Sequence, residues 1–143
     1  MAQKKAKDGK EMKHIEVVAG IIIYEDKILC MQRDANKYDY LSYKYEFPGG
    51  KVESGETNSQ ALMRELREEM EIETNISEND FFMTVIYQYP DFEITMHSYI
   101  CRVNSPEFIR KEHVDHIWLK RPDLDKLDWA PADLPIVKKL MLK

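Results

Sequence analysis

The chain lacks the long apolar runs that define membrane proteins. No stretch of its 143 residues approaches the roughly twenty apolar positions of a spanning helix. Cysteine is scarce: Cys30 and Cys101 are the two present. Neither lies in a Cys-x-x-Cys pair or a Cys/His pattern, so nothing points to structural zinc, and their apolar, strand-like surroundings predict free buried thiols. The first residues, MAQKKAKDGKEMK, are lysine-rich, but no apolar core follows them as a secretory signal requires. Residues 1–13 are expected to be a flexible tail, and 14–143 a single domain without repeats, linkers or low-complexity segments. Asn75-Ile76-Ser77 fits a glycosylation acceptor, a pattern without meaning in a protein that is not secreted. Positive charge also falls short. With 21 Lys and Arg against 26 Asp and Glu, the net charge is −5. Such a chain repels polyanions, so a nucleic-acid polymer is not expected as partner. It meets a phosphate-rich ligand only if bound cations reverse the sign locally.

What is present predicts a small domain with mixed strands and two helices. Residues 15–24 and 28–32 are rich in Ile and Val around the polar turn Glu25-Asp26-Lys27, which reads as a hairpin. Residues 34–45 are polar and tyrosine-rich, a loop. Pro48-Gly49-Gly50 is a strong breaker. Thr57 and Gln60 fit a capping box, starting a helix that runs to about Met70. Strands are expected over 81–88, 93–103 and 116–119. Residues 131–142 read as a closing helix with Leu134, Val137, Leu140 and Met141 toward the core.

The segment Gly50 to Ile72 carries the chemistry. At helical spacing Leu62, Leu66 and Met70 form one buried stripe, and Glu65, Glu68 and Glu69 lie beside it within an arc of about 100°. Three carboxylates on one face repel and raise one another's pKa. Arg64 relieves part of this at i, i+4 from Glu68, and a divalent cation relieves the rest. A solvated acidic face with Arg partners is the alternative. The preceding residues favour the cation: Gly49 and Gly50 allow close backbone approach, Lys51 is placed to meet a phosphate, and Glu53 and Glu56 add carboxylates at the same mouth.

This stretch, GGKVESGETNSQALMRELREEMEI, resembles the Nudix box, G-x5-E-x7-R-E-U-x-E-E-x-G-U with U apolar. Gly50, Glu56, Arg64, Glu65, Leu66, Glu68, Glu69 and Ile72 match. The flanking Glu46-Phe47-Pro48-Gly49-Gly50-Lys51 and the late Ala130-Pro131-Ala132-Asp133-Leu134-Pro135 are similar to the MutT-type branch. Glu71 departs from the pattern, which has Gly there. A Gly suits a left-handed helix C-terminus, and a Glu in that geometry costs on the order of 1 kcal/mol.

The resemblance implies a Nudix fold: an α/β (α+β) domain with a mixed β-sheet sandwiched between helices and a loop–helix–loop catalytic motif. It implies a cytoplasmic enzyme that uses Mg²⁺, with Mn²⁺ as substitute, to hydrolyse a nucleoside triphosphate to the monophosphate and pyrophosphate. A homodimer is compatible with this, and a membrane partner is not expected. Carried over, Glu65, Glu68, Glu69 and the Gly49 carbonyl hold metal, Glu56 and Arg64 orient the carboxylates, and Arg33 and Lys51 contact phosphates. The general base is Glu68 or Glu112, the latter also near the metal. Phe47, Tyr89 and Phe92 either stack on a base or fill the core. Asp133 either reads the base or caps the last helix. Read as an ionised acceptor, it favours the amino group of cytosine, hence CTP, dCTP or 5-methyl-dCTP. The alternatives are an 8-oxo-dGTP sanitising diphosphatase and, in another class, a Nudix-fold module that senses a nucleotide without cleaving it.

Overall fold

The computed structural model describes residues 12–142. Residues 1–11 of the expected tail lie outside the described part. Met12 is buried, and the first strand starts at Lys13.

Strand β1 (Lys13–Tyr24) is the axis of the sheet. It turns through Glu25, at φ 55°, into β2 (Lys27–Gln32), pairing Ile23 with Ile28 as the hairpin reading required. The Pro-Gly-Gly segment does not simply break the chain. Pro48 follows a short strand, β3 (Tyr45–Glu46) on β2, and both glycines lie inside another, β4 (Gly49–Lys51) on β1. Helix α1 (Asn58–Met70) follows. Then β5 (Phe81–Gln88) and β6 (Phe92–Arg102) form an antiparallel pair, and β6 runs parallel to β1. Strand β7 (Asp115–Lys120) pairs with β2. The result is a mixed seven-stranded sheet with the spine β3-β2-β1-β6-β5, β4 added to β1 and β7 to β2.

Strand β1 is buried on both faces because each face packs a different layer. Val18 and Ile22 meet Leu62, Leu66 and Met70 of α1, and these three are at most 1% exposed. Each such side chain contributes about 1.5–3 kcal/mol of burial. Ile21 and Ile23 face the other way, toward Trp129 and helix α2 (Leu134–Met141). Cys30 lies in this second layer and Cys101 in the first, so the thiols are free and separated by the sheet. Burial pushes them up to about 12 and about 11.

The end of the chain differs from the sequence reading. Residues 131–133 form a 3₁₀ turn before the α-helix begins at Leu134. Val137 and Leu140 point inward as expected, joined by Ile136, and Met141 packs against the core, while Leu134 is 37% exposed. Asp133 makes no side-chain cap to this helix. Pro131 and Pro135 are the physical reason for the broken start, since neither supplies a backbone donor.

Candidate active site

Gly49 and Gly50 sit where a Cβ has no room. A Cβ on Gly49 would come 1.9 Å from the Val18 carbonyl oxygen in the β1–β4 pair. On Gly50 it would fall 2.3–2.6 Å from the carboxylate of Glu65. The second contact is with a side-chain end: the bare backbone of β4 leaves the Glu65 head group a seat. After β4, Val52 N–H donates to the Glu16 carbonyl, and Glu53 N–H donates to Glu56 Oε1 at 2.8 Å. The capping box then starts α1, with Gln60 N–H donating to Thr57 Oγ1 and Thr57 N–H to Gln60 Oε1. At the far end Glu71 takes φ 54°, ψ 37°, the left-handed geometry that the pattern assigns to Gly.

Arg64 is the hub. Its guanidinium donates to both oxygens of Glu56 at 2.6 and 2.9 Å, to Glu65 at 3.0 Å, to Glu68 at 3.3 Å and to the Lys51 carbonyl at 3.0 Å. It ties loop, strand and helix together and is 15% exposed. The Arg64 hydrogen bonds pull the Glu56 carboxyl down to about 2. Burial raises Glu65 despite Arg64. Glu69 is raised to about 7, by burial first, then by a hydrogen bond with Glu112 and by the charges of Glu65 and Glu68. Glu112 thus arrives from the β6–β7 connection to meet the helix carboxylates. Among the described residues no three carboxylate, imidazole or thiol groups converge on one point as the side chains stand. They are taken up in pairs, Glu65 and Glu68 with Arg64, Glu69 with Glu112.

Beside these carboxylates opens a cavity of about 470 Å³. Gly49, Gly50, Lys51 and Glu112 line one part of it, and Phe47, Tyr89, Phe92 and Asp133 another. The three aromatic rings are buried and also pack the core: Phe47 stacks on Trp129 at 4.7 Å, and Tyr89 meets Phe92 at 5.0 Å. The Tyr89 hydroxyl is fixed by Ala132 N–H at 3.0 Å. Asp133 is 4% exposed, and its Oδ1 accepts Phe47 N–H at 3.0 Å. Burial, then the charge of Glu46, raises its pKa well above the usual carboxylate range. This shift favours the protonated form, in which Asp133 can donate as well as accept. Arg33 does not point freely at the cavity mouth. It donates to Glu46 Oε1 at 2.8 Å, while His113 Nε2 lies 2.9 Å from Glu46 Oε2. Burial disfavours the Glu46 charge, but His113 and Arg33 outweigh it and hold that carboxyl low.

A NUDIX domain profile matches residues 14–140. The chain belongs to the Nudix family. It is 34% identical over 129 residues to an 8-oxo-dGTP diphosphatase of Escherichia coli K12, covering 90% of this chain and 98% of that protein. It is 36% identical over 140 residues to the CTP pyrophosphohydrolase of the same organism, covering 91% and 93%. The Nudix hydrolase MutT of methicillin-resistant Staphylococcus aureus 252 superposes with a TM-score of 0.73 at 41% identity over 92% of this chain and 98% of that one. The E. coli ORF135 protein gives 0.77 at 34% identity over 92% and 91%. The chain is a MutT-like Nudix hydrolase, an enzyme that acts on nucleotides.

Two residues that line the cavity, Glu46 and His113, escaped the sequence reading. Glu46 carried no signal of its own, since a lone Glu in a two-residue strand looks like surface. His113 stands three residues before His116, but the fold does not pair the two. His116 contacts Arg110 instead. The usable signal for both was position: one precedes the glycine pair, the other follows Glu112.

Proposed function

We propose that this Nudix enzyme hydrolyses a nucleoside triphosphate to the monophosphate and pyrophosphate in a Mg²⁺-dependent reaction, with cytidine-type triphosphates (CTP, dCTP, 5-methyl-dCTP) preferred. One observation carries the reading. A single cavity runs from Gly49, Gly50, Lys51 and Glu112, beside the box helix, to a floor that offers Glu46 as acceptor and, in its protonated form, Asp133 as donor. Cytosine presents an amino donor beside a ring acceptor, the complementary pair. Such a floor discriminates strongly, because a base that mismatches it leaves buried polar groups unpaired.

The residues fit a hard divalent cation. Glu69 and Glu112 share a contact that suits one proton or one cation between two oxygens, and the seat beside Gly50 holds Glu65 at the sheet edge. Glu65, Glu68, Glu69 and the Gly49 carbonyl would hold Mg²⁺, with Mn²⁺ as substitute and Glu112 close by. The ion supplies charge neutralisation on the phosphates and activates water. The chain itself does the rest. Arg64 holds Glu56, Glu65 and Glu68 in one frame. Lys51, exposed at the cavity rim, meets phosphate oxygens. Arg33 works through Glu46, keeping it charged, rather than as a free phosphate ligand. Glu112 takes the proton of the attacking water, with Glu68 the second candidate. Phe47, Tyr89 and Phe92 wall the base and exclude water.

The second substrate reading, 8-oxo-dGTP, rests on the same protonated Asp133, which can donate to a purine carbonyl as an ionised Asp cannot. A cytoplasmic monomer or homodimer acting on free nucleotides completes the proposal. No helix among the described residues is long and apolar enough to cross a membrane. A panel of nucleoside triphosphates with Mg²⁺, scored for pyrophosphate against orthophosphate, tests it. Highest kcat/KM on a cytidine-type triphosphate with pyrophosphate release supports the reading; orthophosphate release, or no turnover of any triphosphate, ends it.

A further inference from the structure

Glu71, the one position that departs from the box pattern, has a partner outside the box. Residues 103–114 join β6 to β7 without regular structure, and Glu112 lies near the end of this connection. The connection is strapped to the body at four points. Ile109 N–H donates to the Met70 carbonyl at 3.0 Å, and Val114 N–H to the Gln32 carbonyl at 3.0 Å. Directly beside Glu112, Lys111 Nζ reaches the Glu68 carbonyl at 3.1 Å and Glu71 Oε2 at 3.1 Å. On the other side His113 meets Glu46.

We infer that Lys111 and Glu71 form a positioning clamp that holds Glu112 against Glu69. The inference rests on the reading that Glu112 works with the box carboxylates. Glu71 occupies φ 54°, where Gly has no penalty and Glu does. What Glu offers in exchange is a carboxylate at the C-terminus of α1, one turn from Glu68 and level with the incoming loop. Lys111 is well placed there for a second reason: a cation at a helix C-terminus meets unsatisfied carbonyls, here that of Glu68. The pair is 42% and 58% exposed, so it adds little to global stability. Its consequence is local. A loop anchored within one residue of a catalytic carboxylate has little freedom to carry that carboxylate away, and small displacements at a reacting centre cost rate steeply.

The clamp makes stability and turnover move in opposite directions, which general damage to the fold does not do. In Glu71→Gly the thermal midpoint holds or rises, because the strained φ is relieved. Amide exchange over residues 110–113, measured without metal or nucleotide, becomes faster. The kcat falls on the order of ten-fold with KM nearly unchanged. Lys111→Met gives the same kcat loss, the double variant is no worse than either single one, and Lys111→Arg retains most activity. Wild-type exchange and kcat in Glu71→Gly overturn the clamp, as do losses that multiply in the double variant. Glu112→Gln separates the two levels. Lost turnover there with normal Glu71→Gly overturns the clamp alone, whereas normal turnover in Glu112→Gln overturns the assignment beneath it.

Discussion

Two carboxylic acids that line the same cavity are pushed in opposite directions, Glu46 toward its charged form and Asp133 toward its neutral one, and the difference is environmental. His113 and Arg33 hold the Glu46 carboxyl low; burial and the neighbouring Glu46 raise that of Asp133. The sign for stability follows. Folded Asp133 retains a proton that the unfolded chain releases above about pH 3.9. The native state then binds more protons than the unfolded one, so this group's contribution falls as pH rises from that point toward its raised folded value. Asp133→Asn removes the dependence while keeping an acceptor for Phe47 N–H and a donor for the base. Denaturant melts at several pH values between 4 and 7 are expected to show the variant gaining on the wild type as pH rises; parallel profiles would mean Asp133 is ionised. Base selectivity is expected to survive Asp133→Asn and to be lost in Asp133→Leu. Glu56 runs the other way. Its folded pKa is pulled down to about 2, so its contribution is present at neutral pH and is lost as pH falls from the usual carboxylate range through that value. None of this floor was legible in the sequence beyond the two alternatives for Asp133, because protonation depends on which side chains the fold brings within reach.

The box helix was legible almost residue by residue, and the reason is that its signals are local. The Thr57–Gln60 capping box, the Leu62-Leu66-Met70 stripe and the C-terminal position at Glu71 each depend on spacing within one element. Thr57→Ala is expected to cost about 1 kcal/mol in urea melts. Leu66→Ala, at 1% exposure between α1 and β1, is expected to cost 2–5 kcal/mol on the ~kcal scale of buried Leu deletions. The glycine pair was legible as to need but not as to cause. Sequence placed it in a loop open to ligand; the fold puts it in β4, where neighbours leave no space. The two glycines are expected to fail differently. Gly49→Ala meets backbone and should disrupt the β1–β4 pairing, seen as lost stability. Gly50→Ala meets only the end of the Glu65 side chain and should leave the fold intact while displacing that carboxylate, seen as lost activity at a near-normal melting temperature. Equal effects of the two would sink the idea that Gly50 makes a seat for Glu65. The final helix was the least legible element. Its 3₁₀ start leaves Leu134 at the first α-helical position and exposed, whereas Val137 and Leu140 point inward as the periodicity required.

At the level of the whole molecule, a sheet of seven strands separates two layers, and the site forms where β4, α1 and the β6–β7 connection meet along one edge of β1. The acidic balance of −5 and the crowding of Glu65, Glu68, Glu69 and Glu112 pose the same physical problem at two scales. Arg64 answers part of it from within the chain; in the proposed function magnesium answers the remainder. A protein built this way is stabilised by its cation through mass action, by about 2.7 kcal/mol at a hundred-fold excess over Kd. The most direct measurement is calorimetric titration of Mg²⁺ into the metal-free protein, alone and with a non-hydrolysable triphosphate analogue, for the wild type and Glu69→Gln. Saturable uptake by the wild type that is strongly weakened in a folded Glu69→Gln variant is the expected result; no uptake by the wild type under either condition, or equal uptake by both proteins, would contradict it.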